Sequence, residues 1–260
     1  MAEWALAMCR GPSRWLISFN NGDKALVSSP WLAGGLCFTV YDKGVKNITL
    51  FIANASGEVA DNEVIIKGAF ERAVSSMSEL IGIDRVDVIC VNDPYQTIPE
   101  IGMSGYTPNR NLIYLHIDAS RHLDGDEIFY TLCHELMHAK RYEGPSYGET
   151  LFDSIIFEGL GVAIEEQVSD GKGSFLSNFI NEKDNSALLK DIEAHFDDKE
   201  FNRFHWFIEE SDDLPRWTGY RVGYYIVSEY LKKTNKKASD LVLEDSSMFR
   251  DFVRDDLGRE

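Results

Sequence analysis

The sequence holds no apolar run of 18 residues, and a helix needs about 20 to cross a bilayer, so no membrane span is expected. Cysteine is sparse. Cys9, Cys37, Cys90 and Cys133 are widely spaced and form no C-x-x-C pair, which argues against a disulfide framework. Basic charge is also short, with 26 Lys and Arg against 43 Asp and Glu and a net charge of −17. Phosphate binding needs a basic face, so nucleic acid is excluded as a partner, and the acidity reads as a solubility property. The first ten residues carry Glu3 where a signal peptide needs basic charge, and their apolar run is too short, so the expected compartment is cytoplasmic.

What remains is an ordinary globular composition, 44% apolar and 27% charged over 260 residues. That length can bury a sizeable core, as one large domain or two small ones.

The chain is organised around Thr131–Lys140, which contains His134-Glu135-Leu136-Met137-His138. On a helix, histidines four apart leave the same face about one turn apart. Two such imidazoles can hold one Zn²⁺ at about 2.0–2.1 Å each. Glu135 then lies beside the metal, placed to take a proton from a water there. Cys133 is one residue off that face and reads as a buried thiol.

A third ligand is sought in the acids that follow: Glu149, Asp153, Glu158, Glu165 and Glu166, of which spacing alone permits several. Glu158 is favoured because it sits between Ile155-Ile156-Phe157 and Gly159-Leu160-Gly161-Val162, where burying a carboxylate is costly unless it is paired or metal-bound. Gly159 and Gly161 would let two helices approach closely. Three protein ligands with one open position describe a catalytic zinc site.

These residues carry a resemblance. His134 to His138, with Glu158-Gly159-Leu160, is similar to the gluzincin metallopeptidases, whose third ligand is a glutamate on the following helix. The words His-Glu-Leu-Met-His-Ala-Lys-Arg, Gly-Glu-Thr-Leu-Phe-Asp and Phe-Glu-Gly-Leu-Gly resemble a bacterial family of predicted Zn-dependent proteases, specifically over about Asp124–Gln167. The resemblance implies a zincin-like α+β fold, one Zn²⁺ per chain, and a peptide or protein substrate. It also implies a tyrosine after the zinc helices that donates to the oxyanion. Tyr220 in Gly219-Tyr220-Arg221-Val222-Gly223 is the choice, with Tyr224 and Tyr225 as competitors. Two departures stand out. Gly102-Met103-Ser104-Gly105 lacks the glutamate of the aminopeptidase motif Gly-x-Met-Glu-Asn, which points to an endopeptidase. Val162 stands where thermolysin-like enzymes place an aspartate that orients a histidine, leaving Asp153 or Glu165 for that bond.

In chain order, strands are expected at Trp15–Phe19, Leu36–Tyr41 and Ile48–Ile52, with turns at Asn21-Gly22 and Asp42-Lys43-Gly44. Trp4, Trp15 and Trp31 read as packing residues. A helix over Val64–Leu80 carries an apolar stripe of Ile65, Ala69, Ala73, Met77 and Leu80, followed by a strand at Val86–Val91. Gly102–Tyr106 and Leu112–Ile117 follow, one of them expected to be a sheet edge able to pair with an extended peptide. Acids at Asp124–Glu127 open the active helix, which closes near Arg141 before Glu143-Gly144-Pro145. Residues 171–215 read as short helices and loops; His195 and His205 there, and His116 on Leu112–Ile117, read as packing or surface histidines.

The expected architecture is a mixed sheet with the active helix over 1–145, then a mostly helical lobe over 146–260, together one catalytic unit. The expected function is zinc-dependent peptide hydrolysis with metal ligands His134, His138 and Glu158, general base Glu135, and Tyr220 over the oxyanion. The alternative is a metal-binding scaffold or regulatory protein with a weak or latent site.

Overall fold

The structure, a computed structural model, describes residues 47–144, 148–181, 185–211 and 214–257, and the strand backbones of 16–20, 24–28 and 38–42. Trp4, Trp15, Trp31, Cys9, Cys37, Asn21-Gly22 and Lys43-Gly44 lie outside the described residues.

Seven strands form one mixed sheet in the order β1-β2-β3-β4-β5-β7-β6. β1 (Leu16–Asn20), β2 (Lys24–Ser28), β3 (Phe38–Asp42) and β4 (Asn47–Ala53) run antiparallel in sequence order. β2 was not anticipated, because Lys24-Ala25-Leu26-Val27-Ser28 is short and only weakly alternating. β5 (Arg85–Asn92) lies parallel to β4, and β7 (Leu112–Ile117) parallel to β5. β6 (Met103–Asn109) closes the sheet antiparallel to β7.

Alternation decides which side of this sheet is dry. Ile48, Leu50 and Ile52 on β4, Val86, Val88 and Cys90 on β5, and Ile113, Leu115 and Ile117 on β7 are all buried. The register lines them up in rows, Leu50 beside Val88 beside Ile113, then Ile52 beside Cys90 beside Leu115. Each such aliphatic side chain contributes about 1.5–3 kcal/mol on leaving water. β7 is paired on both sides, so its backbone groups are used. β6 is the outer strand, and of the two segments considered as an edge only Met103–Asn109 fills that place.

Helix α1 (Glu63–Leu80) joins β4 to β5, as a parallel connection requires. Its buried stripe is Ile66, Ala69, Phe70, Ala73 and Met77. Ile65 is only half-buried and Leu80 is exposed, so Ile66 and Phe70 replace them on a stripe that keeps Ala69, Ala73 and Met77.

The later helices are α2 (Gly125–Arg141), α3 (Leu151–Val168), α4 (Phe175–Asn181), α5 (Ser186–Ile192), α6 (Arg203–Phe207), α7 (Thr218–Thr234) and α8 (Ser247–Phe252). The α+β class is as the sequence implies, mixed sheet first and helices after. Backbone contacts divide the chain into two compact units, Met1–Glu71 with Asp84–Ile128, and Arg72–Ile83 with Phe129–Glu260. None of the described helices is long and apolar enough to cross a membrane.

Candidate metal centre

Helix α2 starts where Asp124 accepts from the backbone N–H of Asp126 at 2.7 Å, satisfying one of the donors a helix start leaves free. Its acids lie in the first turn and Lys140 and Arg141 in the last, in accord with the helix dipole. The segment Leu132–Ala139 is buried throughout. His134, Glu135 and His138 are each at most 6% exposed, which is rare for such groups without partners.

Helix α3 starts with a capping box. Thr150 accepts from the N–H of Asp153, and the Asp153 carboxylate accepts from the N–H of Thr150. Asp153 is thereby used as a cap and also accepts from Ser246. The helix is buried nearly all round, from Leu151 to Glu165, and Glu158 is 3% exposed.

His134, His138 and Glu158 bring three ligand atoms within 4.8 Å of one another. Glu158 Oε2 stands 3.2 Å from His134 Nε2 and 3.3 Å from His138 Nε2. Donors at about 2.0–2.1 Å from a tetrahedral Zn²⁺ are about 3.3–3.4 Å apart, so these separations fit the edges of such a site. The ring orientation fits too. His134 Nδ1 lies 2.5 Å from Glu165 Oε1 and donates its hydrogen there, which leaves Nε2 facing Glu158 Oε2. Glu165 is therefore the orienting acid, and Asp153 is not. Its other oxygen, Oε2, accepts from the Ser174 hydroxyl.

The electrostatics of the cluster follow from its burial and its carboxylates. Burial opposes charge on His134, yet its hydrogen bonds to Glu158 and Glu165 outweigh that and hold it well above the usual imidazole range. Burial pushes His138 down to about 4, with His134 and Arg203 acting the same way against Glu158. Glu158 is held well below the usual carboxylate range: burial would raise it, but His138 and Arg203 prevail. His138 stacks flat on Phe157, with ring centroids 3.8 Å apart, and its Nδ1 has no hydrogen-bond partner among the described residues.

The two glycines beside Glu158 do separate jobs. At Gly161 a Cβ would come closer than 3.0 Å to the His134 ring, so this glycine makes room for that imidazole. At Gly159 a Cβ would strike the backbone of Gly223, and one at Gly223 would strike the carbonyl of Ile155. The expected close approach thus involves α7 as well as α2.

Helix α7 carries the tyrosines. Trp217, immediately before it, adopts the left-handed region at φ 63°, a costly conformation for a bulky residue, and its ring packs on Phe175 and Phe179. Tyr220 is half-buried, with its ring centroid 6.4 Å from that of His134. Burial, then the carboxylates of Glu158, Glu135 and Glu165, keeps its hydroxyl well above the usual phenol range, against Arg203. It is a protonated donor at neutral pH. The Tyr224 hydroxyl instead donates to Glu166.

Two contributors were not anticipated. Ser174 supports Glu165, and Arg203 on α6 forms an ion pair with Glu158 Oε1. Both lie in the polar stretch 171–215, where no spacing links them to the motif. Other histidines stay apart: His195 pairs with Asp198 at 3.0 Å and His205 with Glu209 at 2.9 Å. His116, on β7, stands 3.8 Å from Asp93. Cys133 is a buried free thiol, raised well above its usual range by burial, and stands outside the ligand cluster.

Among solved structures, an aminopeptidase N family protein from Idiomarina loihiensis is similar to this chain at 12% identity and a TM-score of 0.45. The match covers 85% of this chain and 42% of that one, so the chain spans less than half the length of that structure. No curated protein matches. A family model described as a predicted Zn-dependent protease (DUF2268) matches residues 65–251, which include the motif, Glu158, Arg203 and Tyr220. By that match the chain belongs to this family of predicted Zn-dependent proteases.

Proposed function

We propose that this protein is a gluzincin-type zinc peptidase that holds one Zn²⁺ on His134 Nε2, His138 Nε2 and Glu158 Oε2. The observation that carries the reading is the convergence of those atoms, 3.2 and 3.3 Å apart, in a buried cluster whose His134 ring is held at Nδ1 by Glu165. Zinc bound there supplies Lewis-acid polarisation of a water and of the scissile carbonyl.

The chain's own groups do the rest. Glu135 follows His134 on α2 and is buried beside it, so it serves as general base and then hands the proton to the leaving amine. Tyr220 keeps its proton and offers it as a hydrogen bond to the oxygen that gains negative charge. Glu165, backed by Ser174, holds the His134 ring in register. An internal peptide bond is the expected substrate, since the Gly102–Gly105 segment has no acid to capture a free amino terminus. The buried free thiols Cys90 and Cys133 suit a reducing, cytoplasmic setting.

The test is metal content and hydrolysis together. Protein purified without added metal should contain one zinc per chain and cleave an unfolded protein substrate until a chelator is added. Glu135→Gln should keep its zinc while the rate falls by orders of magnitude. An unchanged rate in that variant removes Glu135 as the base. A chain that takes up zinc yet hydrolyses no peptide would favour the scaffold reading.

A further inference from the structure

The two oxygens of Glu158 have different neighbours. Oε2 faces both imidazole Nε2 atoms, whereas Oε1 accepts from the Arg203 guanidinium. A glutamate's terminal torsion is broad and roughly two-fold, so the side chain alone does not choose which oxygen points where. We propose that Arg203 is a positioning residue for the metal centre, holding Oε1 so that Oε2 alone is presented to His134 and His138. This rests on the zinc reading above.

The way α6 is built supports the role. Asn202 caps the helix, accepting from the N–H of Phe204 at 3.1 Å and more distantly from that of His205. Phe207 is buried and packs edge-on against Tyr220, centroids 5.5 Å apart. Space for its ring comes from Gly219, where a Cβ would approach it closer than 3.0 Å. The Arg203 guanidinium lies 4.7 Å over that same ring. Phe207 thus anchors the helix and the shelf on which the guanidinium rests. The Arg203 side chain is 52% exposed while that of Glu158 is 4% exposed, so Arg203 caps the carboxylate from the solvent side.

An arginine suits this task better than a lysine. Its planar fork fixes direction as well as charge, and its flat face stacks on an aromatic ring. By drawing charge from Oε1 it also limits how much negative charge Glu158 presents to the cation.

The experiment compares wild type with Arg203→Gln, Arg203→Lys and the exposed neighbour variant Phe204→Ala. The zinc dissociation constant is measured by competition with a chromophoric chelator, and the visible spectrum is recorded after Co²⁺ substitution. Arg203→Gln should weaken zinc by about 10–100-fold, the usual cost of losing a partner of a metal ligand, and should alter the Co²⁺ spectrum. Arg203→Lys should recover part of the affinity, and Phe204→Ala should match wild type. Unchanged affinity and spectrum in Arg203→Gln would overturn the inference while leaving the zinc reading intact. An equal loss in Phe204→Ala would overturn it too, showing that any disturbance of α6 suffices. A wild type that binds no zinc would sink the peptidase reading first.

Discussion

Helices α3 and α6 both act on the Glu158 carboxylate, but α3 runs 18 residues, buried nearly all round, whereas α6 runs five and leaves Arg203 half exposed. On α3 the carboxylate's position follows from packing: a capped start, glycines that admit α7 and the His134 ring, and Glu165 two turns further along. On α6 the proposed hold on it rests on one ion pair and one ring shelf. The difference shows how the site divides its labour. The group that would bear the metal is held by the core, while the group proposed to orient it sits on a short helix and reaches the carboxylate from the solvent side.

The largest effect should come from the ligand itself. Glu158→Ala should abolish stoichiometric zinc, as measured by elemental analysis, while Glu149→Ala and Glu166→Ala should retain it. Zinc lost only in Glu149→Ala would hand the ligand role to the start of α3 and remove the comparison's basis. An intermediate effect is expected at α7. Tyr220→Phe keeps the ring on Phe207 and removes the hydroxyl, so kcat should fall about 10²–10³-fold with zinc content and Tm intact. If kcat holds, Tyr220 is packing and the oxyanion donor lies elsewhere. A smaller change is expected one step behind the ligands. Glu165→Gln keeps the shape but loses the charge-assisted bond to His134, and zinc affinity should drop about 10–100-fold by chelator competition. A larger loss there than in Glu158→Ala would reverse the ranking of the two acids on α3.

Much of this site was legible because helical spacing converts sequence into a face. His134 and His138 share one whatever surrounds them, and an acid within Ile155–Val162 demands a partner wherever that helix is buried. The strand Leu112–Ile117 was readable for the same reason, since alternation survives any packing partner. The stripe of α1 was harder. Ile65 and Ile66 are adjacent and both apolar, so periodicity alone did not say which one faces inward.

Asp153 and Glu165 show where local reading stops. Both are acids on α3, and either suited the task of orienting a histidine. Asp153 sits three residues after Thr150, and the capping box claims it. Glu165 is seven residues beyond Glu158, on the same side of the helix, and reaches His134.

By itself, the sequence determined the histidine pair on α2, the neighbouring acid at Glu135, the candidate third ligand and the α+β order of elements, all properties of residues near one another along the chain. The tertiary structure decided that Oε2 of Glu158 meets both imidazoles, that Glu165 reaches Nδ1 of His134, and that Arg203, 45 residues beyond Glu158, takes the other oxygen. The reason is physical. Backbone periodicity is local and repeats with each turn, whereas which atoms of a buried carboxylate find which partners depends on side chains that only folding brings within hydrogen-bond reach.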